Sequence, residues 1–137
     1  MKEKTMLNEK TWQKMKIEII NEKIIENLDF DCENEDLNDF IHNDALKHLN
    51  EKLAVTYLCM IDETVLGFVS IANASTKIDE KHKKEIIFQY SEFTAVKLGR
   101  LGIDKRYKGN GIGTCLVKWV SAKSEDMCQE LVYDLYL

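Results

Sequence analysis

The chain has 137 residues, 45% of them hydrophobic and 31% charged, with a formal net charge of −5. That length buries roughly two-thirds of the unfolded surface, enough for one core, and excludes a second domain. The acidic balance excludes bulk polyanion binding, so any nucleic-acid contact has to be local. No run approaches the ~18 apolar residues of a membrane span, and the charged N-terminus lacks the apolar core of a secretion signal; both point to a cytoplasmic protein.

In chain order, residues 1–14 are polar apart from a few residues such as Trp12, and read as an arm or short helix before a single domain over 15–137. Met15 to Ile20 alternates and is rich in β-formers, which predicts a first strand. Asn34 can cap a helix whose apolar positions Leu37, Phe40, Ile41, Ala45 and Leu49 recur at the three-four spacing of one buried face. Val55–Ile61 and Val65–Ala74 flank Asp62-Glu63-Thr64, the pattern of a hairpin. Lys77 to Lys84 is a charged loop. Ala95 to Ile103 predicts a strand, followed by a helix from about Gly111 to Lys123 and a strand from Glu130 to Leu135. This order predicts an α/β fold, a mixed β-sheet flanked by helices. Gly99 and Gly102 within a strand point to a bulge or a close backbone approach.

Cys32, Cys59, Cys115 and Cys128 are widely spaced, with no Cys-x-x-Cys pair and no Cys/His cluster, so no metal site is expected. Cys59 and Cys115 read as small buried apolar residues. His42, His48 and His82 lie far apart in polar surroundings and read as surface histidines.

The most informative stretch is Leu98 to Val117, where an apolar strand runs into a glycine-spaced turn that opens a helix. Gly109, Gly111 and Gly113 lack Cβ atoms, so successive N–H groups can curl around an oxyanion where the helix dipole favours negative charge. Lys105, Arg106 and Lys108 crowd the same turn, and a diphosphate is the natural guest. A Walker loop ends in Gly-Lys-Ser/Thr, whereas Thr114-Cys115 follows Gly113 here. A Rossmann loop is spaced Gly-x-Gly-x-x-Gly and opens a long βαβ array; this one is Gly-x-Gly-x-Gly and falls late in the chain.

These residues resemble the GNAT family of acetyl-CoA-dependent N-acetyltransferases. The family signature Gln/Arg-x-x-Gly-x-Gly/Ala aligns on Lys108-Gly109-Asn110-Gly111-Ile112-Gly113, with Lys108 in place of Gln or Arg at a position that mostly contributes its backbone amide. Upstream, Phe30 to Ile41, Thr56-Tyr57 and Val65 to Val69 resemble the GNAT branch that includes tRNA-acetylating toxins. The likeness spans about residues 15 to 135 and is strongest over 96 to 117.

The resemblance implies a GNAT-like fold, C-terminally shortened, in which the fourth and fifth strands splay to receive the pantetheine arm. Leu101, Gly102 and Ile103 would line that cleft, and residues 108 to 114, ending at Thr114, would hold the pyrophosphate of acetyl-CoA. The implied chemistry is attack by an amine on the acetyl thioester, its carbonyl polarised by the Leu101 N–H. Glu92, just before the strand, is a candidate to deprotonate the amine, although a solvated loop acid is the favoured reading. The family's proton donor is a tyrosine beyond the fifth strand; Tyr133 and Tyr136 fall too early and read as packing residues. Without the family's last elements, the strand at Glu130 to Leu135 is expected to expose an edge and to favour homo-oligomers or leave the fold marginally stable. Three functions follow. The first is acetylation of a small-molecule or protein amine. The second is a toxin that acetylates aminoacyl-tRNA and is held by an antitoxin, which calls for a basic acceptor face on an acidic protein. The third is a non-catalytic remnant that binds coenzyme A or a protein.

Overall fold

A computed structural model of the chain describes residues 4–73 and 96–123. Its centre is a four-stranded sheet of β1 (Lys16–Ile19), β2 (Val55–Ile61), β3 (Thr64–Asn73) and β4 (Val96–Ile103), in that spatial order. All three pairings are antiparallel. The strand expected at Glu130 to Leu135 lies outside the described residues. So do the loop over 77–84, His82, Glu92, Cys128, Tyr133 and Tyr136.

β2 and β3 form the expected hairpin on a tighter turn. Ile61 already pairs with Thr64, so only Asp62 and Glu63 turn the chain, with Asp62 at φ 54°. Two irregularities re-aim β3 and β4. Cys59 faces Gly67 while Met60 faces Val65, which leaves Leu66 as the extra residue; Ser70 faces Arg100 while Ile71 faces Leu98, which leaves Gly99 as the extra residue. Both are β-bulges, and the second bends β4 at a glycine.

α1 (Glu9–Trp12) precedes β1, and three short helices after it, α2 (Glu22–Glu26), α3 (Glu35–Asp39) and α4 (Ala45–Asn50), cover one face of the sheet. Asn34 caps α3 by accepting from Leu37 N–H at 3.1 Å. The one helix predicted from Asn34 is broken by a π-turn over Phe40–Asp44, closed by Ala45 N–H to Phe40 C=O. Leu37, Ile41, Ala45 and Leu49 recur every four residues, a spacing that drifts by roughly 40° per step in an ideal helix. One wide turn takes up that drift. Phe40, Ile41 and Ala45 are buried as a result, with Leu58, Met60 and Phe68 of the sheet and with Ile20 and Phe30. Phe30 meets Phe68 edge-to-face at 5.5 Å.

α5 occupies residues 112–123 and covers the opposite face. Its Ile112, Leu116 and Val120 pack on Cys59, Leu66, Val69 and Ile71, with Leu7, Trp12 and Met15 of the N-terminal segment at the margin. Cys59 is a core residue as expected, its thiol pushed up to about 12 by burial. The two described histidines are not free surface groups. His42 Nε2 donates to Phe30 C=O at 3.2 Å, and His48 packs edge-on to Phe40 at 5.5 Å, because both lie on the helical run that covers the sheet.

Candidate cofactor site

The backbone phase of β4 decides what lines its outer edge. Asp104 N–H donates to Leu66 C=O on β3 at 2.8 Å. Backbone groups alternate sides along a strand, so Gly102 also faces β3, while the N–H and C=O of Leu101 and Ile103 point away from it. β4 is last in the described strand order, and those groups line an edge that no described strand pairs. Gly102 has a different role: a Cβ there would lie 2.7 Å from Phe68 Cε1. Of the three residues expected to line a cleft, Leu101 and Ile103 turn their backbone groups to this edge, whereas Gly102 turns its own to β3 and permits close packing.

Asp104, 1% exposed, organises the turn that follows. Its carboxylate accepts from Arg106 N–H at 2.9 Å, from Arg106 Nε at 2.9 Å and from Arg106 Nη2 at 3.1 Å. It also accepts from Asp31 N–H at 3.2 Å, while Lys105 N–H donates to Asp31 C=O at 2.9 Å. This short 3-10 turn (Lys105–Tyr107) is thereby sewn to the loop before α3.

The same contacts correct the expectation that Lys105, Arg106 and Lys108 offer their charge to an anion. Lys105 Nζ pairs with Asp31 at 3.1 Å. Arg106 is held by Asp104 and reaches Asp29 at 3.5 Å. Lys108 Nζ donates to Cys32 C=O at 3.1 Å and lies 3.6 Å from Glu33. Three cations thus meet four carboxylates. The hydrogen bond and charge of Asp104 raise the Arg106 guanidinium further. Donation from Glu33 N–H, then from Asn38 and Lys105, brings the Asp31 carboxyl down to about 2. Attraction for an anion therefore rests on the backbone.

That backbone is suitably shaped. Gly109 at φ 87° and Gly111 at φ 80° adopt the left-handed conformation, and nothing lies within 4 Å of a Cβ built on either. Cys115 N–H to Gly111 C=O, at 3.0 Å, closes the first turn of α5. The N–H groups of Ile112, Gly113 and Thr114 precede that bond and have no partner within the helix. Ile112 is 1% exposed and anchors the helix start in the core, whereas Gly111 and Thr114 are exposed. Gly113 is not needed for space, since its Cβ would make ordinary contacts of 3.8 and 3.9 Å with Leu101 and Ile103. Asn110 does not turn its side chain to a ligand: Oδ1 accepts from Leu7 N–H at 2.8 Å, and Nδ2 donates to Thr5 C=O at 2.8 Å and Tyr107 C=O at 2.9 Å. Among the described residues no group of three or more His, Cys, Asp or Glu could hold a metal.

The glycine turn at the start of α5 is readable in the sequence, and what braces it was missed, namely Asp104, the Asp29 to Glu33 loop and the segment through Thr5 and Leu7. An acid at a strand end followed by Arg two residues on was the visible signal for Asp104. The other partners lie too far away in sequence to be read.

An antiparallel sheet with helices on both faces, an open edge on β4 and a glycine cradle at the start of α5 make up the GNAT acetyltransferase fold. Among solved structures the chain is similar to a tyrosine-to-phenylalanine mutant of KacT, with a TM-score of 0.60 and 27% identity over 79% of this chain and 67% of that one. It is similar also to AtaTR bound with acetyl-CoA, with a TM-score of 0.57 and 25% identity over 77% of this chain and 61% of the other. AtaT complexed with acetyl-methionyl-tRNAfMet gives a TM-score of 0.56 and 27% identity, over 77% and 66%. The chain thus has the GNAT fold and resembles its toxin acetyltransferases, and it spans 61% to 67% of the length of these three neighbours. No protein-family model matches the sequence, and no curated protein matches it. No described helix is long and apolar enough to cross a membrane.

Proposed function

We propose that the chain binds acetyl-CoA and transfers its acetyl group to a primary amine. The observation that carries this reading is the junction of β4 and α5, where the outward N–H groups of Leu101 and Ile103 lead into a cradle with two left-handed glycines. Acetyl-CoA supplies the acetyl group as a thioester. The N–H groups of residues 112–114 hold the diphosphate, Gly109 and Gly111 leave room for it, and Lys108 serves through its backbone while its side chain anchors the loop. The Leu101 N–H, aimed away from β3, donates to the carbonyl oxygen and stabilises the charge that develops as the amine adds. The carbon–sulfur bond then breaks, and the departing thiolate takes a proton. Glu92, the sequence candidate for the base, lies outside the described residues, as do Tyr133 and Tyr136, which the sequence reads as packing residues and not as the acid.

The acceptor best supported is the amine of an aminoacyl-tRNA, because AtaT, which shares this fold, is known bound to acetyl-methionyl-tRNAfMet and to the C-terminus of an antitoxin. Such a function brings tRNA and an antitoxin as partners. The test is mass spectrometry of products after incubation with acetyl-CoA and, in separate reactions, charged tRNA, a free amino-acid amide and a lysine peptide. Acetyl-aminoacyl-tRNA as the dominant product supports the reading. Acetylation of the peptide or amide alone moves the acceptor to a protein or small molecule, and failure to bind acetyl-CoA removes the enzyme reading.

A further inference from the structure

Asn110 sits between the two left-handed glycines, where a chain of that composition has more conformational freedom than any other residue pair would leave it. Its side chain removes that freedom through three hydrogen bonds of 2.8 to 2.9 Å, two of them to the backbone of Thr5 and Leu7, more than a hundred residues away in sequence. A further bond joins Thr5 N–H to Arg106 C=O on the same turn. The segment is fixed at its other side too: Leu7 and Trp12 pack on the α5 face of the sheet, and Asn8 caps α1 by accepting from Thr11 N–H at 2.8 Å.

We infer that residues 5–7 form a strap that pre-organises the cradle through Asn110, making Asn110 a positioning residue for diphosphate binding and the N-terminal segment part of the cofactor site. The physical reason is the entropy of the loop. Two glycines that must both sit at positive φ are costly to order when a ligand arrives, and a clamp that orders them beforehand leaves more of the binding energy for the ligand. The relation is reciprocal, so a bound diphosphate that holds the cradle also holds the strap. This inference rests on the proposed binding of coenzyme A at the cradle.

The test uses the full chain and coenzyme A. Asn110→Ala removes the clamp. Leu7→Pro removes the N–H that Asn110 accepts from and stiffens the backbone at residues 6 and 7, beyond the packing that Leu7→Ala also loses, and leaves the cradle sequence intact. Calorimetry well below each variant's melting temperature is expected to show a dissociation constant raised about tenfold in Asn110→Ala and about fivefold in Leu7→Pro, which leaves the two Nδ2 bonds in place. Leu7→Ala should stay within about twofold, and the double variant should be no weaker than Asn110→Ala alone, since the bond that Leu7→Pro cuts is one of the three that Asn110→Ala removes. Coenzyme A should slow hydrogen exchange at residues 5–7 in the wild type and not in Asn110→Ala. Unchanged affinity in both single variants, or additive losses in the double variant, overturns the strap while leaving the binding assignment standing. Wild-type protein that does not bind coenzyme A overturns both. If Asn110→Ala fails to fold, the contrast between Leu7→Pro and Leu7→Ala decides.

Discussion

Asp104 holds Arg106 through both its backbone N–H, at 2.9 Å, and its guanidinium, at 2.9 and 3.1 Å. One buried carboxylate therefore fixes the direction in which the chain leaves β4 and the position of the side chain that reaches the Asp29 loop. Removing it leaves Arg106 N–H, Asp31 N–H and a largely covered guanidinium short of an acceptor. Breaking a buried pair from one side costs about 3–5 kcal/mol. Arg106 keeps some contact with water and with Asp29, so Asp104→Ala should lose about 3 kcal/mol in urea unfolding, and Asp104→Asn, which retains an acceptor oxygen, should lose less. A loss below about 1 kcal/mol would show that Asp29 and solvent replace Asp104 fully.

The acidic loop makes stability depend on pH in a defined direction. The Asp31 carboxyl titrates at about 2 in the folded chain against an ordinary 3.8, held down first by Glu33 N–H, then by Asn38 and Lys105. Above pH 3.8 it is ionised in both states and its stabilisation is fully present. As pH falls below 3.8 the unfolded chain takes up the proton first, so the stabilisation erodes and is gone below about 2. Unfolding followed from pH 5 to pH 2 should show a shallower dependence in Asp31→Asn than in the wild type. Parallel curves would sink this assignment.

The glycines separate by mechanism. Gly102→Ala would set a Cβ 2.7 Å from the ring of Phe68 in a packed core and should cost about 1–3 kcal/mol. Gly109→Ala and Gly111→Ala meet no atom but force left-handed backbone on an L-residue, at about 1–2 kcal/mol each. They should also weaken coenzyme A binding by filling the open cradle. Gly113→Ala makes ordinary contacts within the first turn of α5, where replacing glycine gains about 0.5–1 kcal/mol. Thermal denaturation of the four variants should therefore rank Gly113→Ala highest; a lower melting temperature than the wild type for that variant would contradict the reading.

These effects show what was legible in the sequence. Asn34 as a cap, the hairpin at Asp62 and the bulge and close approach at Gly99 and Gly102 were readable because each rests on local backbone chemistry. The cradle was readable as far as its glycines. The fate of its cations was not, because Lys108 meets Cys32 and Lys105 meets Asp31 across more than seventy residues, and spacing carries no information about such pairs. The bonds from the Asn110 side chain to Leu7 and Thr5 were not readable for the same reason, those partners lying at the far end of the chain. α2 was missed because its five residues carry no periodic apolar face, although Asn21 caps it by accepting from Ile24 N–H at 3.0 Å.

Leu101 offers the sharpest test of the chemistry. Its N–H points away from β3, so proline at 101 removes no bond between β3 and β4, and Arg100 before it already lies in extended strand, the conformation that a following proline favours. The substitution should leave the sheet intact and delete the one donor proposed to face the thioester oxygen. Removing a single donor of this kind costs about 10²–10³ in kcat. Leu101→Ala keeps the N–H and trims packing against the α5 face, so it controls for the lost side chain. Expected is a fall of about 10²–10³-fold in acetyl transfer for Leu101→Pro, with coenzyme A affinity within about threefold of Leu101→Ala. Equal turnover in the two variants would remove Leu101 from the mechanism, and a collapse of coenzyme A binding in Leu101→Pro alone would recast its N–H as a contact to the pantetheine arm.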